Sequence, residues 1–482
     1  MSNAELSCEQ LPIVLVRGWG GPDIKDEQLL TYQGFNIGTV YPHKKGENYI
    51  YEGLILRFIK DRLRPYLDAT NVIRYSKGEY VTVDHESPLW NDLKGKKNSL
   101  WVYRYYDFER RDLEFYGEEL KKVVDHIKSI TRAERVNIIA HSFGGLITRW
   151  LLQRVYETRE KAHSEVNKVV TLGTPHGGIN FAGWAENLDL GMELKYFDRD
   201  YLDENLGGSN RHCQDISESF DPKAMLCVVG TDWKNYAIKL SKLMAGKKSD
   251  GLVRQANAAV EGAHVAYVHK CHGGNDSLVT SREAYELATR FFFGDMIVTI
   301  TQLNGEILGR HEPWFLGKPE YYIGFSVKAR GLDFFLNQQS KEAENCYGPF
   351  NENRLPGNLV AFKGFLDRAR VAEAVKTYND MAWRFDIYIG ERDSAGVLGF
   401  SDTIVLEKHA LFRYLPKNGK LEFYLDINKL GAAPDLELDL VPASGDFTGA
   451  CFEEFDLEYD TYKAKFAVCV EDARKVTVSL DA

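Results

Sequence analysis

The sequence is poor in cysteine. It has 7 cysteines in 482 residues, they are scattered, and no two form a Cys-x-x-Cys pair. Such an odd and sparse set is not typical of a disulfide framework, and the spacing argues against a structural zinc site. The first residues, MSNAELSCEQLP, also lack the basic start and apolar core of a secretory signal. Both absences favour a cytoplasmic protein.

Long apolar runs and an excess of basic residues are also lacking. No segment approaches the roughly 20 apolar residues that a membrane-spanning helix needs. The formal net charge of −10 argues against a nucleic-acid partner, because such proteins usually carry a basic surface. With 44% hydrophobic and 27% charged residues, the composition is that of a globular protein, and the length favours two or more domains.

The first part of the chain alternates short apolar segments with amphipathic ones, which predicts a mostly parallel sheet flanked by helices. Helical spacing predicts a helix over 112–131, and a closing helix over 281–294 ends at Gly294. We therefore predict an α/β domain over residues 1–294. Its predicted strands are 13–21, 99–106, 135–142, 168–174, 224–231 and 264–271.

Beyond Gly294 the apolar residues alternate with polar ones, as in WRFDIYIGE (383–391). This period of two predicts strands, and the segment as a whole predicts an antiparallel β-sandwich over residues 295–482. Asn-Gly pairs at 304–305 and 418–419 predict two hairpin turns within it.

The stretch NIIAHSFGGL (137–146) places Ser142 between a predicted buried strand and a predicted helix. A serine there could simply cap the helix. A nucleophile elbow explains more, because it holds the serine in a strained turn and brings the helix so close to the strand that small neighbours are required. Ala140, Gly144 and Gly145 are small at those positions, although Ala140 replaces the first glycine of the usual Gly-x-Ser-x-Gly.

A glycine-rich segment, LVRGWGG (15–21), follows the first predicted strand. Such a loop can direct a backbone N–H at an oxyanion, together with the N–H of the residue after the nucleophile. We expect Trp19 and Phe143 to supply these two donors. A tight turn alone would explain Gly18 and Gly20 but not the elbow further along the chain.

Four motifs, VRGWGG, AHSFGG, TLGTPHGG and SDGLVR, together resemble those of the α/β-hydrolase lipases and esterases, particularly the bacterial triacylglycerol lipases and their relatives. The resemblance covers residues 11–294. It implies the α/β-hydrolase fold for the first domain and a catalytic triad in the chain order serine, acid, histidine. Arg17 stands where that family commonly has a histidine.

For the acid, the resemblance implies Asp250, because the acid of the family lies in a similar Asp-Gly-x-Val stretch. Asp232, directly after the predicted strand 224–231, is the alternative. An aspartate in an ordinary Asp-Gly turn would give the same local sequence as Asp250.

For the base, His269 and His272 both lie at the end of the last predicted strand. His269 is still within the apolar run, where a structural role is expected. His272 opens the following loop, from which its ring can reach Ser142, and similar lipases carry their catalytic histidine in this loop. We therefore assign His272 as the base and keep His269 as the alternative.

We expect neither a metal nor a cofactor. His269, Cys271 and His272 are close in sequence, but no fourth zinc ligand is evident. Some similar lipases bind calcium near their catalytic histidine. Asp276 is close to His272 here, but a full set of ligands cannot be matched.

Residues 179–223 form a longer connection than is usual between a strand and the next one. Its part FAGWAENLDLGMELKYF (181–197) alternates apolar residues with acidic ones, which predicts a lid or an acyl-chain wall over Ser142. A helix that only packs on the core is the alternative.

Together these residues predict a serine ester hydrolase that cleaves lipid-like carboxylic esters through an acyl-enzyme. The same triad serves acyltransferases and amidases, and a non-catalytic binding protein could keep the same shell. The expected partners are an ester substrate and a lipid surface.

Overall fold

The computed structural model describes residues 3–19, 52–70, 72–76, 80–83, 90–105, 108, 110, 112–179, 192–236, 245–273, 276–308, 319–370, 381–393, 402–415, 420–426, 433–439, 451–475 and 477–480. Within these ranges, no helix combines the length and the hydrophobicity that crossing a membrane requires.

The strands, numbered along the chain, are β1 (Asn3–Glu5), β2 (Ile13–Val16), β3 (Leu67–Asp68), β4 (Ile73–Ser76), β5 (Tyr80–Val83), β6 (Ser99–Tyr103), β7 (Val136–His141), β8 (Val166–Leu172), β9 (Met225–Gly230), β10 (His264–Val268), β11 (Met296–Ile307), β12 (Pro319–Ala329), β13 (Asn337–Gln338), β14 (Tyr347–Phe350), β15 (Arg354–Leu355), β16 (Leu359–Leu366), β17 (Met381–Asp393), β18 (Asp402–Leu415), β19 (Lys420–Tyr424), β20 (Leu436–Asp439), β21 (Cys451–Tyr459), β22 (Tyr462–Asp472) and β23 (Thr477–Ser479).

The helices are α1 (Glu52–Ile59), α2 (Trp90–Leu93), α3 (Leu113–Thr131), α4 (Phe143–Trp150), α5 (Arg159–Glu165), α6 (Arg199–Leu206) and α7 (Arg282–Phe293). A π-helical segment, Leu151–Val155, continues α4, and 3-10 turns occur at Met192–Phe197, Pro222–Ala224, Gln255–Asn257 and Ala473–Lys475.

Contacts divide the chain into two compact units. The first is Met1–Phe292 together with Lys475–Ala482, and the second is Phe293–Arg474. The end of the chain returns to the first unit because β23 pairs antiparallel with β1, and Val478 is fully buried there. The division predicted from the sequence, at Gly294, instead places all later residues in the second domain.

The first unit is built on a seven-stranded parallel sheet in the order β10-β9-β8-β7-β2-β6-β3. Every residue of β2 and of β7 is buried. Parallel strands are covered on both faces, so they need apolar residues on both sides rather than alternation, and these strands are therefore short apolar runs in the sequence. The predicted α/β architecture is confirmed, with β2, β6, β7, β8, β9 and β10 at the six predicted positions.

The helix predicted over 112–131 is α3, which begins where the side chain of Asp112 accepts a hydrogen bond from the N–H of Phe115. It ends at Thr131, and the next residue, Arg132, has a left-handed φ of 56°. The helix turns a stripe of apolar side chains into the core of the first unit: Leu113, Tyr116, Leu120, Val123, Val124 and Ile127.

The second unit contains two antiparallel sheets. One has the order β15-β11-β22-β21 with β16 also on β11, and the other has the order β13-β12-β17-β18-β19-β20 with β14 also on β12. The ring of Phe466 in the first sheet lies edge-on to Phe325 and Phe385 in the second, with centroids 6.0 and 6.3 Å apart. The two sheets therefore share one core, and the predicted β-sandwich is confirmed.

One predicted hairpin is wrong. Asn304 and Gly305 lie inside β11, where the register with β22 shifts between Gln302 and Asn304. The side chain of Asn304 accepts a hydrogen bond from the N–H of Lys465 at 3.2 Å, so the pair marks a bulge, which favours the same residues as a turn. The other pair, 418–419, lies outside the described residues.

Candidate active site

Ser142 occupies the turn between β7 and α4. Its φ of 51° and ψ of −123° lie outside the regions that a residue other than glycine usually adopts. Its side chain makes no capping hydrogen bond. Such a conformation costs about 1–3 kcal/mol and persists only where the surroundings enforce it. Capping of the helix by the serine side chain does not account for this geometry.

Two glycines allow α4 to pass close to the sheet. A Cβ on Gly144 would lie 2.3 Å from the carbonyl oxygen of Arg17 and 2.4 Å from that of Val16. A Cβ on Gly145 would lie 2.0 Å from Oγ1 of Thr174. These distances are far shorter than van der Waals contact. The start of α4 therefore packs directly against the ends of neighbouring strands, which explains the small residues around Ser142.

His272 joins Ser142 to Asp250. Its Nε2 lies 2.8 Å from Oγ of Ser142, and its Nδ1 lies 2.8 Å from Oδ2 of Asp250. A carboxylate can only accept, so Nδ1 carries the ring proton and Nε2 is left to accept the hydroxyl hydrogen. The exposed fractions of the serine, histidine and aspartate are 4%, 3% and 1%, so these hydrogen bonds are shielded from water.

The carboxylate of Asp250 is fixed by its own loop. Its Oδ1 accepts hydrogen bonds from the N–H groups of Leu252 and Val253, at 3.0 and 2.8 Å, which leaves Oδ2 facing His272. The alternative acid, Asp232, accepts hydrogen bonds from the N–H groups of Lys234 and Asn235, at 3.0 and 3.2 Å, and so closes its own turn. The structure therefore brings Asp250 to the histidine.

His269, the alternative base, lies just beyond the end of β10 rather than inside the strand. It is exposed, and its Nδ1 is 3.2 Å from Oγ1 of Thr231. Among the described residues, no group of three or more His, Cys, Asp or Glu side chains could hold a metal ion.

Tyr236 shields the aspartate–histidine pair, and nothing in the sequence pointed to it. Its ring centroid is 5.8 Å from that of His272, at an interplanar angle of 82°, and the residue is 4% exposed. Burial, and after it the negative charge of Asp250, raises the pKa of the Tyr236 hydroxyl. The phenol is therefore neutral and forms an uncharged wall beside the pair.

The segment predicted to supply oxyanion donors lies against Ser142. A Cβ on Gly18 would be 2.8 Å from the Cβ of Ser142, and the hydroxyl of Tyr105 donates a hydrogen bond of 2.7 Å to the carbonyl of Gly18. Phe143 is the first residue of α4, so its N–H has no partner in the helix. The roles of Trp19 and Phe143 as oxyanion donors stay a prediction.

The insertion 179–223 reaches the site through Phe197. Its ring centroid lies 5.2 Å from that of Phe143 and 6.4 Å from that of Trp19. Phe197 is 4% exposed, so this end of the insertion packs on the residue that follows Ser142. The preceding part of the predicted apolar face, residues 180–191, lies outside the described residues.

Comparisons with known proteins agree with this architecture. Residues 108–204 match the family model of palmitoyl protein thioesterase. Over 107 residues the chain is 31% identical to triacylglycerol lipases from Pseudarthrobacter phenanthrenivorans and Burkholderia plantarii. Residues 108–204 therefore belong to a palmitoyl protein thioesterase-like α/β-hydrolase region, and the triacylglycerol lipases are distant relatives. The resemblance predicted from the sequence motifs is confirmed.

The extent of these similarities is limited. The lipase matches cover 22% of this chain and 31% and 28% of the two lipases, so the chain spans about a third of the length of the curated relatives it matches. A crystal structure of a gene product from Listeria innocua aligns with 59% of this chain and 94% of that chain, at 16% identity and a TM-score of 0.34. The family-model match includes Ser142 and ends before Asp250 and His272.

Proposed function

We propose that this protein is a serine hydrolase that cleaves lipid-like carboxylic esters. The observation that carries the proposal is the continuous hydrogen-bonded chain from Ser142 through His272 to Asp250, with both contacts at 2.8 Å. The strained backbone of the serine, and the glycines that let the helix pass close to the sheet, are what a nucleophile on a sharp strand-to-helix turn requires. The relatedness to lipases and thioesterases supports the same class of chemistry.

In the first half-reaction, Oγ of Ser142 attacks the ester carbonyl carbon and its proton passes to Nε2 of His272. Asp250 stabilises the resulting imidazolium, and the N–H groups of Trp19 and Phe143 stabilise the oxyanion. Nε2 then gives the proton to the departing alcohol, which leaves the acyl group on Oγ. Water repeats the sequence and releases the carboxylic acid, so no cofactor takes part in any step.

The aromatic side chains around the serine support an acyl substrate. Phe143 follows Ser142 and is buried against Phe197, and the ring of Trp19 packs against Phe197. Apolar surroundings of this kind favour a hydrocarbon chain over a charged group. The apolar residues beside the serine turn therefore support a lipid-like acyl chain as the substrate group.

Thioesters are a second candidate substrate. The match of residues 108–204 to the palmitoyl protein thioesterase model favours them, and the same triad and acyl-enzyme would cleave a thioester with a thiol as the leaving group. The ratio of kcat/KM for a matched pair, an alkyl butyrate and the corresponding butyrate thioester, decides which of the two is the better substrate.

The proposal is tested by hydrolysis of p-nitrophenyl butyrate and p-nitrophenyl octanoate. We expect wild-type protein to turn over both esters and His272→Ala to lose about 10³-fold or more in kcat. His269→Ala is the matched control. Because His269 is exposed, its removal should change kcat by less than about threefold. A damaging His269→Ala together with a harmless His272→Ala would contradict the assigned base.

A further inference from the structure

His141, the residue directly before Ser142, reaches the loop that carries His272. Its Nε2 lies 2.9 Å from the backbone carbonyl oxygen of His272, and the two imidazole rings are 4.9 Å apart at an angle of 40°. The carbonyl can only accept, so Nε2 of His141 carries the hydrogen. His141 is 2% exposed, which protects this bond from competition with water.

The main chain of His272 is therefore held on both sides. Its N–H donates a hydrogen bond of 2.9 Å to the carbonyl of Asp250, and its carbonyl accepts from His141. One contact comes from the loop of the proposed acid and the other from His141, the last residue of β7, directly before the proposed nucleophile. A shift of this loop would break at least one of the two bonds.

The other ring nitrogen of His141, Nδ1, makes no such hydrogen bond. Nδ1 is buried and has no hydrogen-bond partner among the described residues. Burial, and then the neighbouring His272 and Arg17, lowers the pKa of His141 well below its ordinary value, so the ring is neutral and donates through Nε2 alone. If the ring of His141 served only for packing, the hydrogen bond from Nε2 to the carbonyl of His272 would not be needed.

We propose that His141 is a positioning residue, which holds the backbone of His272 so that the imidazole stays within hydrogen-bond reach of Ser142. This proposal rests on the proposed function, in which His272 is the base for Ser142. Proton transfer needs a separation of about 2.6–3.2 Å, and a misplacement of about 1 Å costs on the order of a hundredfold in rate. His141 touches no reacting atom and acts through the position of His272.

Two amide substitutions separate positioning from packing. In His141→Gln the amide nitrogen is as many bonds from Cα as Nε2 of histidine, so it can donate to the same carbonyl. In His141→Asn the amide nitrogen takes the place of Nδ1, which points away from the carbonyl of His272. Both variants are neutral and remove the ring, so a loss of packing affects both in the same direction.

We expect His141→Asn to lower kcat for p-nitrophenyl butyrate by about 10- to 100-fold, with KM changed by less than about twofold. We expect His141→Gln to keep kcat within about threefold of wild type. Rates are compared below the melting temperature of each variant. If His141→Asn does not fold, His141→Leu, which keeps apolar bulk without a donor, replaces it with the same expected loss.

Equal kcat losses in the two amide variants, or full activity in His141→Asn, would overturn the positioning role and leave the proposed function standing. Wild-type protein that neither cleaves an ester nor reacts with a fluorophosphonate would overturn the proposed function itself, and the role of His141 with it. Rescue by glutamine and not by asparagine supports the proposal.

Discussion

Nε2 of His272 lies 2.8 Å from Oγ of Ser142, although 130 positions separate the two residues in the chain. Ser142 follows β7, Asp250 lies in the segment between β9 and β10, and His272 follows β10. In a parallel sheet the carboxyl ends of the strands meet at one edge, where loops from distant parts of the chain come together. The sheet order is therefore what brings the three side chains into one hydrogen-bonded chain.

Replacing Asp250 with asparagine should remove most of the activity. The amide can donate to Nδ1 of His272 and so hold the ring in the wrong tautomer, and the imidazolium loses its counter-charge. We expect kcat for p-nitrophenyl butyrate to fall by about three to four orders of magnitude. Asp232→Asn is the matched control and should stay within about fivefold of wild type, since Asp232 closes its own turn. If Asp232→Asn lowers kcat by orders of magnitude and Asp250→Asn changes it little, the catalytic acid is Asp232, at the end of β9.

Adding one methyl group at Gly144 should destabilise the protein. The Cβ of an alanine there would be 2.3 Å from the carbonyl oxygen of Arg17, and backbone cannot move aside without separating α4 from β2. We expect Gly144→Ala to lower the free energy of unfolding by about 3 kcal/mol or more, measured by urea denaturation. Gly95→Ala, at a left-handed φ of 74° but with open space around its Cβ, should cost only about 1–2 kcal/mol. Equal losses in the two variants would contradict a close crossing at Gly144.

Six strands of the first unit and its helix α3 could be predicted, because each of these strands is a short apolar run and α3 carries a continuous apolar stripe. β3 could not be predicted, because it has two residues and both are exposed. The pairing of β1 with β23 joins the two ends of the chain, and no local pattern reports such a contact. Asn304 and Gly305 predict a turn and lie beside a bulge instead, because bulges and turns both favour glycine.

Some features of the candidate site could likewise be predicted from the sequence, and others could not. Ser142 could be proposed from its neighbours alone, because an elbow imposes small residues within a few positions of the serine. The distances that join His272 to Asp250, and the contact of His141 with the carbonyl of His272, depend on loops that meet only in the folded chain. Tyr236 has no motif around it, since a ring that shields the site needs only the right place and an apolar body.

Acid should destabilise the protein in part through His163. Its Nε2 accepts a hydrogen bond of 2.9 Å from the N–H of Asp221, and burial lowers its pKa from 6.5 to about 3. Between these values the unfolded chain binds more protons, so the free energy of unfolding rises with pH in that window. The stabilisation is complete above the ordinary pKa and is lost as the pH falls, by about 1.4 kcal/mol per pH unit for one such group.

His163→Gln is the test of this pH dependence, because the amide oxygen can accept the same hydrogen bond and does not titrate. We expect the free energy of unfolding, measured by urea denaturation, to fall less for the variant than for the wild type when the pH is lowered from 6.5 to 4.5. The difference between the two decreases should be about 2–3 kcal/mol. If the free energy of unfolding depends on pH in the same way for both proteins, His163 does not have a lower pKa in the folded state than in the unfolded state.

The claim that Ser142 is the nucleophile is tested most directly by labelling with a fluorophosphonate, followed by mass spectrometry of the modified peptide. The phosphonyl group stays on the oxygen that attacks it, so the modified residue is the nucleophile. We predict one equivalent of label on Ser142 in wild-type protein, and neither label nor ester hydrolysis in a Ser142→Ala variant with an unchanged melting temperature. Stoichiometric label on another residue, or undiminished hydrolysis by folded Ser142→Ala, would contradict it.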